Sequence, residues 1–269
     1  MIELIDVSKW QDPERFDWPA LVTRGVKGLI ARASYGAGTA DSRFKRFAEL
    51  ARQHSMVFGA YHFYRQTHSV EQQLALFDQQ LETIGGLEPG DFFPVLDMEE
   101  NQINGDGRPN PKAWNRACDE IGDAWKNRFG GCILYYSSFF PDWLNAHKGD
   151  TGWHWMKEDG YCHWLADYNR SPGKPRAPYT AKWHLHQPRP SKMAEYLGGQ
   201  AVVDQDYVNP DVQLEDLRIL TSVSTVGVDP EAERPGGAHP DDLIDGVKAA
   251  YQGAQMLAEG LGRMEKALR

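Results

Sequence analysis

Cysteine is scarce: three residues in a chain of 269. Cys118, Cys132 and Cys162 are odd in number and widely spaced, with no CxxC pair and no Cys/His ligand spacing. Neither a disulfide framework nor a zinc site is indicated, and free buried thiols in a protein made in a reducing compartment are the plain reading. The chain also lacks any dense Lys/Arg run and carries a formal net charge of −9, which argues against a nucleic-acid partner. No stretch approaches the roughly 18 apolar residues that a membrane span needs. The opening MIELIDVSKW has neither the basic n-region nor the apolar h-region of a secretory leader. No GxGxxG or GxxxxGK[ST] loop follows a strand-like run, so a nucleotide fold has no support.

What the chain does have is hydrophobic residues (41%) and aromatics (12%), enough for a large core with Trp and Tyr to spare. Short β-rich runs alternate with helical patterns. IELIDVS, KGLIARAS, MVFGAYHFY, FFPVLDME and CILYYSSF read as strands, separated by amphipathic segments such as SRFKRFAELARQHS and KAWNRACDEIGDAWKNRFGG. HWLADYN, AKWHLHQ and AVVDQDYV then read as three more strands with fewer helices between them. Eight strands in this alternation predict an α/β fold, a parallel (β/α) TIM-like barrel that becomes irregular and helix-poor in its C-terminal half. Residues 1–222 form that barrel, 223–240 a Pro/Gly/acid-rich linker, and 241–269 a C-terminal helical tail.

Acids end the strands. Asp6 closes the first, Asp97 and Glu99 the fourth, Asp167 the sixth, and Asp204 and Asp206 the eighth. In PVLDMEE, residues 94–100, alternation puts Asp97 and Glu99 on one strand face and Met98 and Glu100 on the other. Tyr61, His62, Phe63, Tyr135, Tyr136, Trp164, Tyr168 and Trp183 stand at or near strand ends. A single strand-end Asp is more often a turn or cap residue than a catalyst. A rim of acids walled by aromatics fits a polysaccharide site, where rings stack on sugars and two carboxyls flank the scissile bond. The same acids could hold a metal with His62, His184 and His186, but no HExxH-like spacing supports that reading, and no cofactor is expected.

IDVSKWQ, FDWPALVTRGVKGLIARASYG, FGAYHFYR, PVLDMEE, LYYSS, HWLADY and VDQDYVN occur in the order seen in the GH25 lysozymes. The chain resembles this family, N-acetylmuramidases common among phage endolysins, over residues 1 to about 220. The resemblance implies an irregular β/α barrel that hydrolyses the β-1,4 bond between N-acetylmuramic acid and N-acetylglucosamine in peptidoglycan. It implies Glu99 as general acid and Asp97 as the partner carboxylate, orienting the substrate's own 2-acetamido group. Asp6 and Asp204 would line the site, with Tyr61, Tyr136, Trp164, Tyr168 and Gln187 binding the glycan. Two departures stand out: His186 replaces a usual Trp ahead of Gln187, which would alter a sugar subsite, and Asp206 stands where Asn is frequent, so that Asp204 and Asp206 compete for the family aspartate. Other readings of the same cup are a non-catalytic wall-binding barrel and a metal-dependent polysaccharide deacetylase. Without a leader, the protein would reach the wall after holin-assisted release or lysis.

In the tail, Val247, Ala250, Ala254, Leu257, Leu261, Met264 and Leu268 recur at alternating spacings of three and four, a stripe that suits a helix–helix seam. Gly253, Gly260 and Gly262 each cost roughly 1 kcal/mol against Ala, so this helix needs a partner: its own barrel, a second copy, or a wall-targeting bundle. The charges nearly cancel, so membrane insertion is not expected. If the seam joins copies, deleting residues 223–269 leaves cleavage of soluble fragments intact, weakens action on whole cells and lowers the oligomer size. Light scattering that finds the full-length chain monomeric at high concentration removes the self-association reading.

Overall fold

The computed structural model describes residues 1–99, 111–137, 160–169, 171–175, 183–191 and 203–220. All belong to one compact unit, Met1–Val226. The expected linker and tail helix, like Glu100, lie outside the described residues.

The strands are β1 (Glu3–Val7), β2 (Val26–Tyr35), β3 (Thr39–Ala40), β4 (Val57–Phe63), β5 (Val95–Asp97), β6 (Cys132–Ser137), β7 (Tyr161–Ala166), β8 (Leu185–Ser191) and β9 (Val203–Val208). Their order is β1-β9-β8-β7-β6-β5-β4-β2-β3, and β1 also pairs with β2. That last pairing closes an eight-stranded barrel, with the two-residue β3 added outside it as a hairpin partner of β2. The expected barrel is present, but it is not wholly parallel. β9 runs antiparallel to both β1 and β8, so the start of β9, and not its end, arrives at the rim where β1 finishes. The pairing of β8 with β9 shifts register between His186 and Arg189, where Pro188 has no N–H to give to a ladder.

Local chemistry sets the helices. In α1 (Trp18–Arg24), the Asp17 side chain accepts from Ala20 N–H at the N-terminus, and Gly25 ends the helix in the left-handed conformation at φ 103°. α2 (Phe44–Gln53) buries Phe44, Phe47, Ala48, Leu50 and Ala51, and α3 (Val70–Glu82) opens on a Ser69/Gln72 capping box. In α4 (Pro111–Phe129), Trp114, Cys118, Ile121, Trp125 and Phe129 fall on one buried stripe. Among the described residues no α-helix follows α4.

Strand alternation divides the core into two apolar groups. Leu4, Ile30, Val95, Ile133, Tyr135 and Trp164 fill the barrel. Their sequence neighbours Ile5, Leu29, Ala31, Leu96, Leu134 and Tyr136 face outward into the layer beneath the helices. Phe92 closes part of the barrel interior, and Gly28 makes room for it. A Cβ on Gly28 would lie 2.8 Å from the Phe92 ring and 2.9 Å from the Val57 carbonyl.

A polar thread crosses the outer layer. His62 bridges Ser34 Oγ (2.8 Å from Nδ1) and Gln73 Oε1 (3.0 Å from Nε2), and all three residues are fully buried. The Gln73 amide donates to the Arg65 and His68 carbonyls, so its oxygen faces His62. Nε2 therefore donates to Gln73 and Nδ1 accepts from Ser34, which requires a neutral ring. Burial pushes the His62 pKa down to about 4. The unfolded chain takes this proton first as pH falls, so the contribution of neutral His62 is complete above about 6.5 and disappears toward pH 4. The stability advantage of the wild type over His62→Gln is expected to shrink by about 3 kcal/mol between pH 7 and pH 4 in urea titrations. A pH-independent difference contradicts the neutral-ring assignment.

Candidate active site

Four neighbouring strands set Phe63, Asp97, Tyr135 and Trp164 side by side in register. All four line a cavity at the barrel mouth, together with Asp6, Ser8, Trp10, Arg32, Tyr61, Val95, Glu99, Tyr168, Gln187 and Asp204. Its volume is about 220 Å³. Asp97 ends β5, the buried Met98 turns outward under α4, and Glu99 returns to the cavity. The expected alternation of the two acids thus holds two residues beyond the strand. Asp204 reaches the rim because β9 is antiparallel, which places it opposite Asp6.

Of the residues expected to form the site, Glu99, Asp97, Asp6, Asp204, Tyr61, Trp164, Tyr168 and Gln187 meet in this cavity. Tyr136 does not. Its side chain faces the outer layer, packs edge-on to Trp114 and hydrogen-bonds His163. Tyr135, one residue earlier, takes the inward place. The choice between Asp204 and Asp206 is also resolved in space: Asp204 lines the cavity and Asp206 lies fully buried. Asp167 is not a rim acid either; it is buried and accepts from the Asn169 side-chain amide at 2.8 Å. His186 does not line the cavity: it accepts from Gly173 N–H (3.1 Å) and donates to the Asp167 carbonyl (3.0 Å). It ties Asp167 and Gly173 to β8, so it shapes no sugar subsite directly.

Sequence reasoning overlooked Ser8, Trp10 and Arg32. Ser8 is two residues beyond Asp6 and so on its side of the chain, a signal present in the alternation. Trp10 is 74% exposed, with the Lys9 ammonium 5.1 Å from its ring centre. The loop that carries it is tied down where Asp41 Oδ2 accepts both Lys9 N–H and Arg32 Nε–H, each at 2.9 Å. Arg32 is the one cation among the described residues that line the cavity.

The acids are joined by a polar network. Gln187 donates to Asp6 Oδ2 (2.8 Å) and accepts from the hydroxyls of Tyr135 (2.7 Å) and Tyr168 (3.1 Å). Tyr135 also hydrogen-bonds Glu99. The single hydroxyl hydrogen of Tyr135 can serve Gln187 or an ionised Glu99. Crowding by protein raises the Glu99 pKa, the Tyr135 hydrogen bond lowers it, and the charge of Asp204 raises it again. Burial pushes Asp97 well up, Glu99 and Asp6 push it further, and Arg32 opposes them. Glu99 N–H also hydrogen-bonds the Asp97 carboxyl, yet among the described residues Asp97 Oδ1 is buried without a donor. Burial raises Asp204 to about 6. Like charges brought together favour the protonated form of these carboxyls, Glu99 at the exposed rim included. Among the described residues, no group of three or more His, Cys, Asp or Glu is arranged to hold a metal ion.

The chain belongs to glycosyl hydrolases family 25, whose model matches residues 5–192. It is 35% identical over 156 residues to the uncharacterized protein YegX of Escherichia coli K12, a match covering 53% of this chain and 55% of that one. The matched stretch thus spans about half the length of this curated relative. Solved structures share the fold at lower identity. The bacterial lysozyme from Streptomyces coelicolor aligns with TM-score 0.62 and 21% identity, over 81% of this chain and 96% of that one. The muramidase from Trichobolus zukalii aligns with TM-score 0.62 and 19% identity, over 81% and 99%. The family 25 glycosyl hydrolase from Bacillus anthracis aligns with TM-score 0.59 and 21% identity, over 80% and 91%.

The exchange of Tyr136 for Tyr135 is directly testable. Tyr135→Phe removes the hydroxyl shared by Gln187 and Glu99 and is expected to lower kcat/KM on cell walls about tenfold. Tyr136→Phe should leave it within about twofold. Equal losses in the two variants contradict the assignment.

Proposed function

We propose that the protein is a peptidoglycan muramidase, cleaving the β-1,4 bond between N-acetylmuramic acid and N-acetylglucosamine. One observation carries the reading: two adjacent inward carboxyls, Asp97 and Glu99, share a cavity whose mouth bears two exposed aromatic rings. Trp10 and Tyr168 are 74% and 45% exposed, against the usual tendency of such rings to be covered, and both line this cavity. Exposed rings beside paired carboxyls suit a polymer of sugars, whose apolar faces stack while the hydroxyls find acids and amides.

In the reaction, Glu99 gives its proton to the glycosidic oxygen as the bond from that oxygen to C1 breaks. The carbonyl oxygen of the 2-acetamido group on the same sugar bonds to C1, and its N–H donates to Asp97 Oδ1, the buried oxygen without a donor among the described residues. Water then attacks C1 as the bond from C1 to the acetamido oxygen breaks, and it passes a proton to Glu99, which restores the acid, frees the acetamido group and leaves a new reducing end. Substrate-assisted cleavage of this kind departs from the two-carboxylate scheme in which the protein supplies the nucleophile. Asp6 and Gln187 present an acceptor and an amide to the sugar, and Arg32 supports negative charge on Asp97.

The polymer lies outside the cytoplasmic membrane, so the proposal places the action there, after release of the protein through a holin-opened membrane or lysis. Among the described residues no helix is long and apolar enough to cross a membrane. Self-association through residues 241–269 belongs to the same proposal, as a way to raise avidity for a repetitive wall.

The test is turbidity loss of purified cell walls together with the appearance of reducing ends, run in excess EDTA. The wild type should produce both. Glu99→Gln should lose about 10²- to 10⁴-fold, as for removal of a general acid, with its circular dichroism spectrum unchanged. Reducing ends from the Glu99→Gln variant at near wild-type rate exclude this role. Loss of activity in EDTA, restored by a divalent ion, favours the deacetylase instead.

A further inference from the structure

Beneath the cavity floor lies a carboxyl that the reaction above does not use. Asp206 stands two residues along β9 from Asp204, has no solvent exposure, and sits opposite Leu4 of β1. Its Oδ1 accepts from the Trp164 indole N–H at 3.1 Å. Among the described residues its Oδ2 is buried without a hydrogen-bond partner, and the carboxyl of Asp6 is its diagonal neighbour on the same face across the β1–β9 pairing. Two carboxyls can share a hydrogen bond only if one of them supplies a proton, because ionised carboxylates accept and do not donate.

The surroundings decide which one supplies it. Burial and the charge of Asp204 raise the Asp6 pKa too, but Asp6 receives the Gln187 amide N–H at 2.8 Å and lines the open cavity, so a negative charge there has a donor and some access to water. Asp206 has one indole N–H and no access. The charged groups nearest this pair are of like sign: Asp204 from β9, with Glu99 and Asp97 beyond Asp6. Arg32, on β2, is spent on Asp41 and acts on Asp97. A charge on Asp206 would therefore be buried, nearly unsupported and surrounded by its own sign.

We propose that Asp206 is a neutral carboxylic acid whose O–H donates to Asp6, and that this bond fixes the Asp6 carboxylate as an acceptor aimed at the glycan. Asp206 is then a positioning residue. It touches no substrate, and it acts by giving Asp6 a second donor opposite Gln187. Burial, with the charges of Asp6 and Asp204, moves its proton affinity in the required direction. The position also explains the substitution noted in the sequence. Asn and neutral Asp offer the same pattern there, an oxygen for the indole N–H and a hydrogen for Asp6, so an acid can replace an amide without adding a charge.

The inference rests on the muramidase reading for its kinetic arm only. Asp206→Asn keeps both hydrogen bonds, and kcat and KM on cell walls should stay within about threefold, with the pH profile of kcat unshifted. Asp206→Leu removes both bonds and should lower kcat about 10- to 100-fold with little change in KM. An infrared difference spectrum, wild type minus Asp206→Asn at pH 7, should show the carbonyl stretch of a protonated carboxylic acid. This readout needs no substrate, so it remains decisive if the wild type proves inactive on peptidoglycan or if Asp206→Leu fails to fold. Absence of that band, or an Asn variant as damaged as the Leu variant, overturns the proposal.

Discussion

Antiparallel pairing of β9 with β1 is the constraint from which the site follows. It inserts one reversed strand between β8 and β1 in an otherwise parallel barrel and sets Asp204 directly opposite Asp6. With the strand running the other way, the beginning of β9 meets the rim, and each further inward residue goes deeper into the barrel. Asp204 is therefore at the mouth and Asp206 beneath it. The same closure brings β8 beside β9, so that Gln187, one strand over, can reach back to Asp6 across 181 residues of sequence. Catalytic groups in barrels of this type come from the ends of different strands, and the reversed strand supplies two of the acids here.

Crowding these acids imposes an electrostatic problem that the neighbouring side chains answer one by one. Gln187 gives an N–H to Asp6, Trp164 gives one to Asp206, Tyr135 bonds Glu99, and Arg32 moderates Asp97. None of these donors neutralises the cluster, so part of it is answered with protons instead. Protonation is the cheaper response when burying a carboxylate costs more than binding a proton at neutral pH. A rim that retains protons is also a rim with a proton to donate, and this links the packing of β1, β5 and β9 to acid catalysis.

The fold was legible because its signals are local. Alternation within strands, Asp17 and Ser69 as caps, and the stripe Trp114, Cys118, Ile121, Trp125 and Phe129 each follow from neighbours in the chain. The acids were legible too, since Asp97 and Glu99 differ from Met98 by the period of a strand. The family resemblance points to Tyr136 rather than Tyr135, and the strand pattern cannot correct it: CILYYS is apolar on both faces, and alternation assigns a face only relative to a reference. That reference, Asp97 in register with Tyr135, exists only once β5 and β6 are paired. The direction of β9 is likewise non-local: AVVDQDYV reads the same whichever way its strand runs. Trp10 lay in a loop, where no periodicity separates a covered ring from an exposed one.

The cluster and the buried His62 act on stability in opposite directions over one pH interval. Carboxyls whose folded pKa is raised favour the folded state while protonated, so their contribution is lost as pH climbs from the usual carboxylate range, 3.8 for Asp204, through its folded value of about 6. His62 favours the folded state while neutral, and its contribution is lost as pH falls from 6.5 toward about 4. The two slopes overlap and partly cancel, so the barrel has a shallower dependence on pH between about 4 and 6 than either group alone would impose. Above about 6.5 the His62 term is complete, and any acid that ionises there weakens the fold. The site therefore sits at odds with the stability of the barrel, as expected where buried groups are retained for chemistry. The apolar layer under α2, α3 and α4, built around Phe44, Phe77, Trp114 and Trp125, is what allows the mouth to keep them.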